Sequence, residues 1–164
     1  MFSKYVPLIS FIINELKKRE YLQFDRIGLK KVNACILLNK YKLSDYFNNN
    51  VLCRFNNDSP VTQVADEFTI DQYNVKYNRR FQEGFFSYNK KRKTGYQIIL
   101  DIEAYLEEFS VDEIIRSNNS KDILTKLNDA IFEIYISSLT DGFIQNLTKE
   151  DFIDENMLGV LKNV

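Results

Sequence analysis

The 164-residue sequence has no histidine and no tryptophan, two cysteines, two prolines and five glycines. Without histidine, the usual general base near neutral pH and the commonest metal ligand are both missing. Ser–His–Asp and Cys–His catalysis and His-based metal sites are therefore excluded by inventory. Cys35 and Cys53 cannot by themselves form a four-thiolate site. A disulfide between them is left open; the expectation is two reduced, mostly buried thiols in a cytoplasmic protein. The glycines, at 28, 84, 95, 142 and 159, are isolated, so no Gly-rich loop is present to cradle a phosphate. No apolar run approaches the roughly 18 residues that a spanning helix needs. The opening "MFSKYVPLISFIINELKKRE" holds a short apolar stretch, Val6 to Ile13, with no small-residue cleavage site and with Asn14, Glu15 and basic residues straight after it. It reads as an amphipathic helix and not as a signal peptide.

What is present is a folded composition, 45 % hydrophobic and 14 % aromatic. The length suits one domain over residues 1–164. A net charge of −1 conceals an asymmetry. Residues 1–100 carry 17 basic and 9 acidic side chains, and residues 101–164 carry 5 basic and 14 acidic. The two halves either neutralise each other by packing or offer opposite charge to partners.

The spacing predicts a first helix over about Lys4–Arg19, with Pro7 harmless in its first turn. Leu8, Ile12 and Leu16, widened by Ile9 and Ile13, form its apolar stripe, and Lys17, Lys18 and Arg19 suit its C-terminal end. Residues Leu22–Leu37 read as a strand, and Gly28 interrupts the alternation, which suggests a bulge or a close backbone approach. "KLSDYFNNN" reads as a helical turn running into an Asn-rich loop. Over 61–104 the alternation of Tyr73, Val75 and Tyr77, and of Tyr96, Ile98, Leu100, Ile102 and Ala104, marks antiparallel strands with one buried and one wet face. "YNKKRKTGY" closes a hairpin with a basic tip. Ser120 is expected to cap a helix carrying Ile123, Leu124, Leu127, Ile131 and Ile134; "SLTDGF" breaks it, and Thr148 with Asp151 resembles a capping box for a final helix holding Phe152. The fold class is α+β: an antiparallel β-sheet with an N-terminal helix and C-terminal helices packed on one face.

Three stretches carry a resemblance. "RIGLKKVN" is similar to the Arg-x-Gly-Leu-Arg-aromatic-x-Asn element of a sporadically distributed family of uncharacterised bacterial proteins. "LDIEAY" (100–105) resembles that family's Leu-Asp-Ile-Asp strand, and "LTKLNDAIFEIYISSLTDGFIQNL" (124–147) its helix and the element after it. Lys30 and Lys31 stand where the family has arginine and an aromatic residue, and Glu103 where it has aspartate. The resemblance covers the family's C-terminal half, standing alone. It implies a fold and the milieu of mobile elements and defence loci, and no reaction.

Arg26 and Lys30 project from one face, to either side of Gly28, and Asn33 from the other. Arg26 is expected to pair with a carboxylate and Asn33 to tie down a loop or backbone; a ligand-binding cation pair is the alternative, weakened because lysine lacks the bidentate fork. The strongest surface candidate is 76–93: Lys76, Arg79, Arg80, Lys90, Lys91, Arg92 and Lys93 against the single acid Glu83, interleaved with Tyr77, Phe85, Phe86, Tyr88 and the nearby Tyr96. Such a surface suits nucleic acid, an acidic protein, or merely a solvated sheet edge. Asp101 and Glu103 share a strand face and could co-ligate Mg²⁺, but Tyr105 stands where a nuclease of the restriction type would place lysine. The acidic run Glu107, Glu108, Asp112, Glu113 could imitate phosphates, and surface acids near a helix start explain it more simply.

The expectation is a small non-enzymatic protein-binding module from a phage or mobile element, an inhibitor of a bacterial defence system, with no cofactor, no metal and no membrane association. The expected partner is a protein, with a CRISPR or other defence effector as the sharpest case, and the contact residues are Lys76, Arg79, Arg80, Tyr88, Lys90, Lys91, Arg92 and Lys93. The alternative is a nucleic-acid-binding accessory protein using the basic hairpin 76–93.

Overall fold

The computed structural model describes residues 2–38, 42–53, 59–88, 91–107, 111–149 and 157–160. In chain order these form α1 (Phe2–Lys17), β1 (Arg26–Leu37), α2 (Leu43–Tyr46), α3 (Asn49–Leu52), β2 (Val61–Ile70), β3 (Tyr73–Tyr88), β4 (Lys91–Glu107), α4 (Val111–Ser117), α5 (Ser120–Ser137), α6 (Asp141–Leu147) and β5 (Met157–Val160). The strands make a single sheet in the order β2-β3-β4-β1-β5, antiparallel at every pairing. The α+β class follows, with four long strands and a short β5 on the outer edge of β1.

Alternation decides which face is covered. Tyr73, Val75, Tyr77 and Phe81 of β3 and Ile98, Leu100, Ile102 and Ala104 of β4 are buried, and α5 lays Ile123, Leu127, Ala130, Ile131 and Ile134 into the same core. Burying a dozen such side chains at about 1.5–3 kcal/mol each is the main force holding helix to sheet. Behind α5, α6 locks onto α2: Tyr46 meets Phe143 edge to face at 5.1 Å. The Thr140 N–H donates to Tyr46 O, and Asn48 Nδ2 donates to Leu139 O at 2.6 Å.

Several boundaries differ from the expected ones. β1 starts at Arg26, because Leu22–Asp25 are engaged elsewhere: the Phe24 N–H donates to Asp112 Oδ1, and Arg116 donates to Lys17 O and Leu22 O. The Asn-rich segment is not a loop; Asn48 precedes a second helical turn, α3. The cap of α5 is Asn119, whose side chain accepts from the Lys121 N–H, while Ser120 is buried and donates to Asn14 of α1. Thr148 closes α6 as its C-cap instead of opening a helix, and Asp151 and Phe152 lie outside the described residues. Neither cysteine is in a disulfide; Cys35 is half-buried, but Cys53 is exposed, contrary to the expected burial.

The first helix is turned from its expected orientation. Its packed side is Val6, Ser10, Ile13 and Lys17, held to α5 by the Ser120–Asn14 hydrogen bond. Leu8, Ile12 and Leu16, the expected core stripe, are exposed.

Candidate contact surface

The uncovered sheet face is built around Gly28. The β1–β4 register runs without a break from Arg26↔Glu107 to Leu37↔Tyr96, so Gly28 marks no bulge. It marks a close approach: a Cβ at Gly28 would stand 2.9 Å from Tyr105 Cβ and 3.2 Å from Ala104 O. The missing side chain leaves room for Tyr105, which is directly opposite. The Arg26 guanidinium lies 3.9 Å from the ring centroid and the Lys76 ammonium 5.5 Å. Tyr105 is thereby only 7 % exposed although it points away from the helices.

Around this stack the cations are matched by carboxylates. Arg26 pairs with Glu103 at 2.5 Å and Glu107 at 3.6 Å, Lys30 with Asp101 at 3.0 Å and Lys76 with Glu67 at 3.5 Å. Glu67 is the main reason that the Lys76 pKa is raised above the ordinary lysine value. Part of the charge of the two biased stretches is thus neutralised across β1 and β4. Asp101 and Glu103, considered as a metal pair, are both occupied by cations. Among the described residues no group of three or more His, Cys, Asp or Glu side chains could hold a metal ion.

Asn33 falls on the opposite face, as its pairing with buried Leu100 requires, and lines a small cavity with Cys35, Tyr135 and Phe143. Lys31 also points to the helices and donates to Asn128 of α5 at 2.5 Å; burial pulls its pKa down, opposed by Asp129.

The expected contact residues divide into three groups. Arg79 does not belong to the surface. It occupies the inward phase of β3 after Tyr73, Val75 and Tyr77, and is 4 % exposed. There its guanidinium pairs with Asp66, donates to Asn50 O and lies over the Tyr77 ring at 4.7 Å. Lys76 and Arg80 lie on the open face; Lys76 is ion-paired, and Arg80 is exposed with no ion pair among the described residues. The third group belongs to a two-stranded ribbon. Strand β2 pairs with β3 as far as Val61↔Gln82, and β1 pairs with β4 as far as Leu37↔Tyr96. β3 and β4 continue through Gly84↔Gly95, Phe85↔Thr94, Phe86↔Lys93, Ser87↔Arg92 and Tyr88↔Lys91.

The ribbon outruns both neighbouring strands by five pairs, about 17 Å at ~3.4 Å per residue. Lys91, Arg92 and Lys93 are therefore strand residues, where the sequence suggested the basic tip of a hairpin. Lys90 lies outside the described residues. Phe85 is 63 % exposed, with the Arg92 guanidinium 4.1 Å from its centroid. At the root two glycines face each other, where the ribbon leaves the sheet.

Tyr105 is the component that the sequence reading missed as a site residue. Its signal lay in the pairing of a bulky strand residue with Gly28, which needs the register of β1 on β4. No protein-family model matches the sequence, and no curated protein and no solved structure is significantly similar to the chain.

Proposed function

We propose that the protein is a non-enzymatic binding module whose β3–β4 ribbon engages an acidic patch on a partner protein. The observation that carries this reading is the ribbon itself: a run of cations and aromatics that outruns a sheet whose cations around Tyr105 are paired with carboxylates. An exposed phenylalanine with an arginine stacked on it is the chemistry of an interface anchor, since aromatics and arginine dominate binding energy at protein contacts. A net charge of −1 and a pI near 5.6 argue against a surface built to track a polyanion, which calls for a basic stripe on a basic domain. Within this reading the sharpest partner is an effector of bacterial defence, such as a CRISPR effector, with the chain acting as an inhibitor carried by a phage or mobile element. The three stretches that resemble the sporadic bacterial family are in keeping with that milieu.

The ribbon's shape favours one other reading, a nucleic-acid accessory protein. A two-stranded antiparallel ribbon fits the ~12 Å major groove of duplex DNA. Fluorescence anisotropy separates the two. The chain and its Arg92→Glu/Lys93→Glu variant are titrated against mixed-sequence DNA duplex, single-stranded RNA and purified candidate effectors, at two salt concentrations. The expected outcome is saturable binding to one effector, lost in the variant, with no nucleic-acid signal at about 0.15 M salt. Steep salt dependence across unrelated nucleic acids would replace the first reading by the second. Metal-dependent turnover lost on Asp101→Ala would overturn both.

A further inference from the structure

A helix in contact with water on one side normally keeps apolar residues on the other, and a helix whose apolar arc is wider than the side it packs is normally covered over the rest of that arc. The apolar arc of α1 is wider than the side that packs on α5. Its packed side centres on Val6 and Ile13. Roughly 100° around the helix, at 100° per residue, runs a second stripe of Tyr5, Leu8, Ile12 and Leu16, with Phe11 at its flank. These five side chains are 49, 59, 48, 39 and 61 % exposed, respectively. Together they present roughly 500 Å² of surface, more than scattered surface residues explain.

We propose that this stripe is a homodimer interface, in which α1 of one copy packs antiparallel against α1 of a second copy. The stripe has the i, i+3, i+7 spacing that two helices need to interdigitate. A two-fold axis midway between Leu8 and Ile12 sets Leu8 against the other copy's Ile12 and Tyr5 within one residue of its Leu16. The charges select this direction. Lys4 and Glu15 lie on the same flank of the stripe, at opposite ends. In an antiparallel pair the same flanks face each other, so Lys4 of each copy meets Glu15 of the other within about one residue rise, ~1.5 Å along the axis. A parallel pair would set opposite flanks together and leave both Lys4 and Glu15 without this pairing. Glu15 already holds Lys18 at 2.5 Å on the exposed side and stays available to a second cation there. Two copies would bury about 1,000 Å², at the threshold for a specific interface and consistent with a dimer that dissociates on dilution. The dimer would carry two ribbons and bind a repeated or two-fold partner bivalently.

Sedimentation equilibrium of the full chain, from about 1 to 100 µM, tests the proposal, since a self-association constant in that range shifts with concentration by mass action. The expected result is a reversible monomer–dimer equilibrium. Leu8→Glu/Ile12→Glu, which faces away from α5, is expected to give a monomer with the wild-type melting temperature at low concentration. Lys4→Glu and Glu15→Lys are each expected to weaken the dimer about tenfold by setting like charges together, and the double variant to recover most of that loss. A monomer throughout the range would overturn the proposal. So would a dimer indifferent to the stripe variants, or charge variants whose effects simply add. Two other occupants are scored in parallel. Binding of the wild type to vesicles of anionic lipid, lost with Leu8→Glu/Ile12→Glu, would assign the stripe to a membrane surface. Dimerisation that begins only when residues 150–164 are removed would assign it to the chain's own end.

Discussion

Gly28→Ala and Gly142→Ala make the same chemical change and should have opposite effects. At Gly28 the added methyl would stand 2.9 Å from Tyr105 Cβ, where two carbons prefer about 3.5–4.0 Å. The atom in the way is a Cβ anchored to the backbone of the central strand, so a rotamer change cannot relieve the clash. Either β1 moves away from β4 or Tyr105 tilts out from under Arg26. Overpacking of this kind costs about 1–3 kcal/mol. Against it stands a gain of about 0.4–1 kcal/mol, because alanine narrows the unfolded ensemble. The net expected loss is about 1–2 kcal/mol. For a domain of this length each kcal/mol moves the melting temperature by roughly 2–4 °C, so a fall of about 2–8 °C is expected. At Gly142, in the first turn of α6, nothing lies within 4 Å of the new Cβ. Alanine there should stabilise by about 0.5–1 kcal/mol through helix propensity. Urea unfolding of both variants, with slopes matching the wild type, gives the two free energies. A Gly28→Ala protein as stable as the wild type would refute the close-approach explanation, and with it the account of how Tyr105 is held.

Three further outcomes follow from buried or clamped groups. Arg79→Ala leaves Asp66 and the Asn50 carbonyl without their partner, so unfolding free energy should fall by about 3 kcal/mol while Arg92→Glu costs under about 0.5 kcal/mol; equal effects would remove the distinction between structural and contact cations. Burial pushes the Tyr77 hydroxyl up to about 12, partly offset by its hydrogen bond to Ser138. A folded pKa raised above the unfolded value gives stability that is complete below about pH 10 and lost as pH rises through about 12. Tyr77→Phe should flatten that alkaline loss and cost about 1 kcal/mol at neutral pH, as read by urea titrations across pH. Asp112 is held below the usual carboxylate range by its hydrogen bond from Arg116 and then by that from the Phe24 N–H. Its contribution is therefore complete above about pH 4 and lost as pH falls through the lowered folded value. Asp112→Asn should flatten the acid limb of the stability profile, and an unchanged acid limb would show that the clamp on residues 17–24 is not held by this carboxylate.

The sheet was legible because the alternation in 73–77 and 96–104 admits one buried phase, and α5 because its apolar positions recur on one side. That phase also contained a signal that the sequence reading left unused. Counting on from Tyr73, Val75 and Tyr77 arrives at Arg79, so an inward arginine could have been separated from its outward neighbour Arg80. α1 was ambiguous for a physical reason. Val6, Ile9 and Ile13 satisfy the helical period as well as Leu8, Ile12 and Leu16 do, and composition does not say which row meets α5. The charge polarity raised the question of mutual neutralisation, but the pairs Arg26–Glu103 and Lys30–Asp101 join residues more than 70 positions apart and needed the β1–β4 register. The ribbon was legible as a hairpin. Its length beyond the flanking strands was not, because that depends on where β1 and β2 stop.

The central claim is that the ribbon makes the functional contact and that the contact is with protein. Its most direct test places a photo-crosslinking residue at Phe85 on the ribbon and, as a control, at Phe132, which is 56 % exposed on α5. After irradiation in cells, adducts are resolved by mass and by nuclease treatment. The expected result is a discrete protein adduct from position 85, absent from position 132 and abolished by Arg92→Glu/Lys93→Glu. A nuclease-sensitive adduct at position 85, or a protein adduct formed only from position 132, would contradict it.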